Sequence, residues 1–259
     1  MLLQGTIRSP GSQARNTFVA TWCTTNLSPN SSGANEIRLP VVPCGLYNFT
    51  VDWGDGSHDH IQRWNDPHVT HTYCDPGEYE IRISGKFSGF SFNNNGDKLK
   101  ILNVKKWGCL DLGIVSDHFE GCTNFVSTAD DVLNLNDTTS FVNSFNGCTS
   151  FNGDPGIQRW NTSKIQDMSV MFKRCISFDR NLGSWNISAL TNAHRMFQHV
   201  TLSTSNYDAL LLGWEDQLRN ESVVFDGGDS KFNLRSEAGK ARRRLINFDN
   251  WSISDGGPK

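Results

Sequence analysis

Trp160-Asn-Thr-Ser-Lys-Ile-Gln-Asp-Met-Ser-Val-Met-Phe172 is the stretch on which the reading of the chain turns, because its parts recur. Trp160-Asn-Thr-Ser163 returns as Trp185-Asn-Ile-Ser188, and Met171-Phe172 returns as Met196-Phe197. Phe119-Glu-Gly-Cys122, Phe145-Asn-Gly-Cys148, Phe172-Lys-Arg-Cys175 and Phe197-Gln-His-Val200 follow one another at steps of 26, 27 and 25 residues. A second aromatic, Phe125, Phe151 or Phe178, stands three residues after each cysteine. One copy cannot bury its own rings. Stacked copies can, by setting Phe145 over Phe172 over Phe197 in a shared core. Each copy is read as a short strand around Trp-Asn-x-Ser, a helical turn ending in Met-Phe-x-x-Cys, and a return loop. The recurring cysteines then form a buried ladder, since their spacing lacks the close pairing of a zinc site.

Upstream, the apolar period falls to two. Phe18-Val-Ala-Thr-Trp22, Glu36-Ile-Arg-Leu39, Tyr47-Asn-Phe-Thr-Val-Asp-Trp53 and Glu78-Tyr-Glu-Ile-Arg-Ile83 alternate apolar and polar residues, as strands do. Turn formers separate them, among them Ser28-Pro-Asn-Ser-Ser-Gly33 and Asp75-Pro-Gly77. Short strands at this spacing predict an antiparallel sandwich. Downstream, Tyr207 to Trp214 and Ala238 to Ile246 read as helices, and Val223 to Phe225 and Trp251 to Ile253 as strands, which together would close the open end of the stack.

Two resemblances accompany this reading. Val51-Asp-Trp-Gly-Asp-Gly-Ser57, His71-Thr-Tyr73 and Pro76-Gly-Glu-Tyr79 resemble the PKD family of immunoglobulin-like domains over residues 17–104. The Trp160–Phe172 unit, with Cys175, Phe178 and Leu182-Gly-Ser-Trp-Asn-Ile-Ser188, resembles the BspA-type leucine-rich-repeat surface proteins, and Gly96-Asp-Lys-Leu-Lys-Ile-Leu102 fits their junction with such a sandwich. The repeat length also lies in the leucine-rich-repeat range. The expected fold is mainly β with short helices (α+β). It comprises an N-terminal extension (1–16), a PKD-like β-sandwich (17–104), a leucine-rich-repeat-like solenoid (105–205) and a C-terminal α/β capping segment (206–259).

Composition narrows the function. Charged residues are only 20%, and the net charge of −3 gives no electrostatic footprint for nucleic acid. Lys240-Ala-Arg-Arg-Arg244 is read as the solvated face of a helix. No apolar run is long enough to span a membrane, and Met1-Leu-Leu-Gln-Gly-Thr-Ile-Arg-Ser-Pro10 lacks the apolar core of a signal peptide. The seven cysteines leave at least one thiol unpaired within a monomer; Cys23–Cys44 and Cys44–Cys74 are both open pairings. Sequons at Asn26, Asn30, Asn48, Asn136, Asn161, Asn186, Asn220 and Asn250 permit glycosylation in a secretory pathway.

No catalytic signature stands out. A Gly-x-Ser-x-Gly elbow, a phosphate loop, His-Glu-x-x-His and a dinucleotide fingerprint are all missing from the sequence. Asp52, Asp55 and Asp59 are the carboxylates a calcium ion would use, and His58, His60, His68 and His71 are the imidazoles open to zinc or copper. The aspartate spacing fails the EF-hand pattern, so these residues are read as turn formers and no metal or other cofactor is expected. The resemblance implies a non-enzymatic module displayed outside the cell or on a particle surface, which adheres to a protein or glycan. The contact residues would be Gln158, Arg159, Thr162, Lys164, Ser184 and Ser188. The alternative is a structural part of a capsid, sheath or extracellular assembly, a rigid spacer whose partners are neighbouring subunits.

Overall fold

The computed structural model describes residues 16–259, so the leader reading and nearly all of the 1–16 extension lie outside the described residues. β1 (Thr17–Cys23) lies antiparallel between β6 (Glu78–Phe90) and β7 (Ile101–Lys106). β3 (Val41–Asp52) pairs with the far edge of β6, and β4 (His58–Ile61) closes that side. Phe18, Ala20 and Trp22 of β1 and Phe49 and Val51 of β3 are buried, the inward set that two-residue alternation demands. A separate ribbon pairs β2 (Glu36–Arg38) with β5 (Thr70–Thr72).

The two-sheet sandwich expected for residues 17–104 is not what forms. The strands β1, β3, β4, β6 and β7 belong to one seven-stranded sheet, and that sheet is mixed. Its last members come from the repeat half. β8 (Leu110–Asp111) runs parallel to β6, and β9 (Val126–Ser127) runs parallel to β7. The strands read from the alternation are therefore real, but apart from β2 they share one mixed sheet, and the only other sheet among them is the two-stranded β2–β5 ribbon.

The leucine-rich-repeat solenoid is corrected as well. Trp160–Ser163 forms no strand, and β9 and β10 (Asn192–Ala193), each two residues long, are the only strands in residues 112–205. Each copy is instead a run of tight turns. Two aligned positions in every copy take the left-handed conformation: Asp117 and Gly121, Asn143 and Gly147, Val170 and Arg174, Arg195 and His199. That conformation reverses the chain and leaves little room for a strand, and it is uncommon for any residue but glycine, least of all for a β-branched one such as Val170.

Successive copies are nonetheless joined in register. The amides of Phe119, Phe145 and Phe172 donate to the carbonyls of Ser144, Met171 and Met196 at 2.7, 2.9 and 2.9 Å. The rings follow. Phe119, Phe145, Phe172 and Phe197 stack at centroid distances of 5.4, 5.7 and 5.5 Å. Phe151 lies 4.7 Å from Phe145 and Phe178 lies 4.2 Å from Phe172, which doubles the column. Beside it, Cys148 donates its thiol to the Phe119 carbonyl at 2.9 Å and Cys175 to that of Phe145 at 2.8 Å. Burial pushes the Cys122 and Cys148 thiols well up, so both stay protonated. All seven cysteines are unpaired.

Phe90 at the end of β6 lies 5.0 Å from Phe119, so the sheet core runs directly into the phenylalanine column. At the other end β10, β11 (Val224–Asp226) and β12 (Ser252–Ser254) form a parallel sheet under two helices, α1 (Thr204–Glu215) and α2 (Glu237–Asn247). Gly213 of α1 sits so close to the repeat that a Cβ there would meet the Gly183 carbonyl at 2.1 Å. Arg244 of α2 grips Glu215 of α1 through two 2.8 Å bonds. Arg242 pairs with Asp255 and Lys240 with Glu237, so only Arg243 of the basic cluster has no carboxylate partner among the described residues. Arg242 and Arg244 thus make docking contacts, while Lys240 and Arg243 stay on the exposed face of the helix. Among the described residues no helix is long and apolar enough to cross a membrane.

Candidate functional site

Five of the six expected contact residues are exposed on the stacked copies. Trp160 and Trp185 lie inside those copies, stacked at 6.0 Å with planes 13° apart, and fix the residues around them one copy apart. Gln158 and Arg159 occupy a single 3-10 turn, Ile157–Arg159, and both are exposed. Ser184 of the next copy donates to the Gln158 carbonyl at 2.8 Å, so these two positions meet. Lys164 reaches back to the Asn136 carbonyl at 2.9 Å, and the Arg159 guanidinium donates to that of Asp130. Ser188 is exposed, with its amide held by Asn186 at 2.9 Å.

Thr162 is not among the five. It is fully buried, and its hydroxyl donates inward to the Asn186 carbonyl at 2.9 Å. Its counterpart one copy on is Ile187, also fully buried, which is the sequence signal that marks this position as core. The other five residues remain outward, joined by Asn161 and Asn186. Each of those asparagines turns its Oδ1 onto the residue two places on, a local Asx turn that leaves the amide Nδ2 with no partner among the described residues. The result is a polar strip in which carbonyls and long side chains are cross-linked between copies while amide donors point out.

The other sequons divide by geometry. Asn48 and Asn136 are exposed. Asn26 and Asn220 are half-buried, and Asn220 gives its amide to the Leu190 carbonyl at 2.9 Å. Asn30 and Asn250 bond to Asn95 and Ser222.

The acidic hairpin is organised as a turn. Asp52 accepts from the Gly54 amide at 2.9 Å, and Asp59 accepts from the Trp53 indole at 2.8 Å. Asp55 takes the Ser57 amide at 2.9 Å and lies 2.8 Å from His71 Nε2. Slight burial pushes the Asp55 carboxyl up, but bonds from Ser57 and His71 outweigh it and hold the group at about 2. Among the described residues no three acidic, histidine or cysteine side chains gather in a group able to hold a metal ion. His71 stacks on Trp53 at 4.9 Å, whereas His58, His60 and His68 are exposed. Ser57, His71 and Asp55 have the composition of a nucleophilic triad but not its wiring. Ser57 and Asp55 both address the same ring nitrogen, Nε2, so the imidazole cannot bridge them as base and orienter.

Residues 86–212 match a family model. Its description reads "Mycoplasma protein of unknown function, DUF285", and the match covers just under half of the chain. It takes in β6 from Lys86 onward, the stacked copies and most of α1, so the chain is similar to that family across the repeats. The similarity is not to the BspA-type leucine-rich repeats or to an immunoglobulin-like domain, and both resemblances give way to it. No curated protein and no solved structure matches the chain.

Two groups escaped the sequence reading because charged residues are assumed to face water. Asp97 and Lys100 have fully buried side chains 3.5 Å apart. Lys100 also donates to the carbonyls of Ser32, Gly33 and Glu36 at 3.0, 2.8 and 2.7 Å. Asp154, nearly as buried, accepts from the Trp107 indole at 3.0 Å, and burial pushes its carboxyl up to about 6.

Proposed function

We propose that the protein is a non-enzymatic binding module, displayed on a cell or particle surface, which holds a protein or glycan against the strip of Gln158, Arg159, Lys164, Ser184 and Ser188. The observation that supports this most is the division of labour within each copy. Inward positions repeat as Phe, Cys, Met and Trp on a backbone locked in register, while the outward pairs Gln158/Gly183, Arg159/Ser184 and Lys164/Ala189 change from one copy to the next and Asn161/Asn186 do not. A surface of that kind can vary its side chains without disturbing the core. The free amides of Asn161 and Asn186 suit acceptor-rich ligands. A spacer role in an assembly is the second reading, favoured by the core that runs unbroken from the sheet through the column to the helices.

The test is a triple variant, Gln158→Glu, Lys164→Glu and Ser188→Glu, compared with the wild type on arrayed glycans and on intact cells. All three side chains are exposed, so each change should move stability by no more than about 0.5 kcal/mol. Binding should fall by at least about tenfold, because three carboxylates repel the ligand oxygens that the Gln158 amide, the Lys164 ammonium and the Asn161 and Asn186 amides beside them attract. Equal binding by both proteins would remove the strip from the account and leave the spacer reading.

A further inference from the structure

A polar groove of about 480 Å³ opens between the loop at Asn30 to Ser32, the β2–β3 junction from Glu36 to Val41, and the turn at Ser91 to Asp97. Its walls are tied together from below. The buried Asp97 carboxylate accepts from the Ser32 amide at 2.7 Å, the Ser32 hydroxyl at 2.6 Å and the Arg38 amide at 2.6 Å. Lys100, beneath it, holds the carbonyls of Ser32, Gly33 and Glu36. One buried ion pair therefore ties the Asp97–Lys100 turn to Ser32, Gly33, Glu36 and Arg38, some sixty residues upstream. Burying such a pair is costly and is tolerated only where its surroundings supply bonds of this number and quality. The groove is thus pre-organised.

One charged group at its rim is left without a bonded partner among the described residues. Glu36 is engaged on both oxygens, by the Gly33 amide at 2.8 Å and the Thr72 hydroxyl at 3.2 Å. Asp97 is saturated and faces Lys100. Arg38, also on the rim, is exposed, and no hydrogen bond or ion pair among the described residues engages its guanidinium. The amide Nδ2 of Asn95 is likewise unengaged among them. Leu39, Pro40, Val41 and Phe92 also line the groove.

We infer that this groove is a second binding site, separate from the repeat face, for a small ligand bearing one carboxylate. The guanidinium of Arg38 would take the carboxylate in a two-bond fork, the Asn95 amide would donate beside it, and the ligand's ring or aliphatic body would lie on the Pro40 and Val41 side. Arginine suits this role because its planar donors match carboxylate geometry. The backbone of Arg38 is already fixed by Asp97, so binding has only its side chain left to order. Acidic sugars and peptides with a free C-terminus both present this chemistry.

Calorimetric titration of the full chain decides it, with glucuronate and methyl glucoside as one pair and N-acetyl-dialanine and its amide as the other. At least one acid should saturate the groove with Kd below about 10 mM, and its neutral partner should bind at least about tenfold more weakly. Whichever pair responds names the source. Arg38→Gln should weaken the acid by about tenfold or more and leave the melting temperature unchanged, since the guanidinium has no partner to lose among the described residues. Equal binding of acid and neutral partner, an unaffected Arg38→Gln protein, or no saturation by either acid would overturn the inference. None of these outcomes bears on the repeat face, whose residues lie outside the groove.

Discussion

Phe172→Ala is expected to destabilise the protein by about 3–5 kcal/mol, the range for removing a large ring from a closed core. Phe172 is fully buried and touches a ring on each side: Phe145 at 5.7 Å, Phe197 at 5.5 Å and Phe178 at 4.2 Å. Its neighbours hang from backbone bonds that keep them in register, so they cannot slide in to fill the space. The cavity term therefore adds to the lost transfer energy. The melting temperature should fall by on the order of 10 °C for a chain of this size. Phe248→Ala is the control, because that ring is 77% exposed and should leave the melting temperature almost unmoved. Denaturant unfolding of both variants checks the pair. A loss under about 1 kcal/mol at Phe172 would mean that the column is not a load shared between copies.

Lys100→Met is the second large effect, again about 3–5 kcal/mol, for a different reason. The substitution retains most of the side-chain volume but leaves Asp97 charged, buried and without its cation. It also strips the partner from three backbone carbonyls, of Ser32, Gly33 and Glu36. Adding Asp97→Asn to Lys100→Met should restore part of the loss, about 1–2 kcal/mol, because the uncompensated charge is gone. Recovery stays incomplete, since the Asp97 carboxylate also serves the amides of Ser32 and Arg38. A double variant no better than Lys100→Met would show that the cost lies in the carbonyls and not in the charge. The four-protein thermodynamic cycle separates the two.

The parts of this structure that could be read from sequence are those in which one residue type marks one environment. The recurrence of Phe at 119, 145, 172 and 197 reports stacking because only neighbouring copies can bury those rings. The inward faces of β1, β3 and β6 were legible for the same reason: alternation states which side is covered. It does not state by what. The partner layer of the sheet depends on contacts distant in sequence, and β8 and β9 join it from the repeats, at two residues each too short to leave a pattern. Trp160–Ser163 reads as a strand from its bulky tryptophan, but Asn161 draws the chain into an Asx turn. Thr162 was misplaced because its hydroxyl suggests water, although its alignment with Ile187 pointed inward. Asp97 and Lys100 left no signal, as their burial rests on a loop some sixty residues upstream.

Surface display is the premise on which the binding role stands, and protease shaving tests it most directly. Intact source cells or particles are digested beside a lysed control, and the released peptides are identified by mass spectrometry. Display predicts that peptides around Trp160 to Lys173 appear from intact material. Their release only after lysis would contradict the account and make the protein an internal structural part.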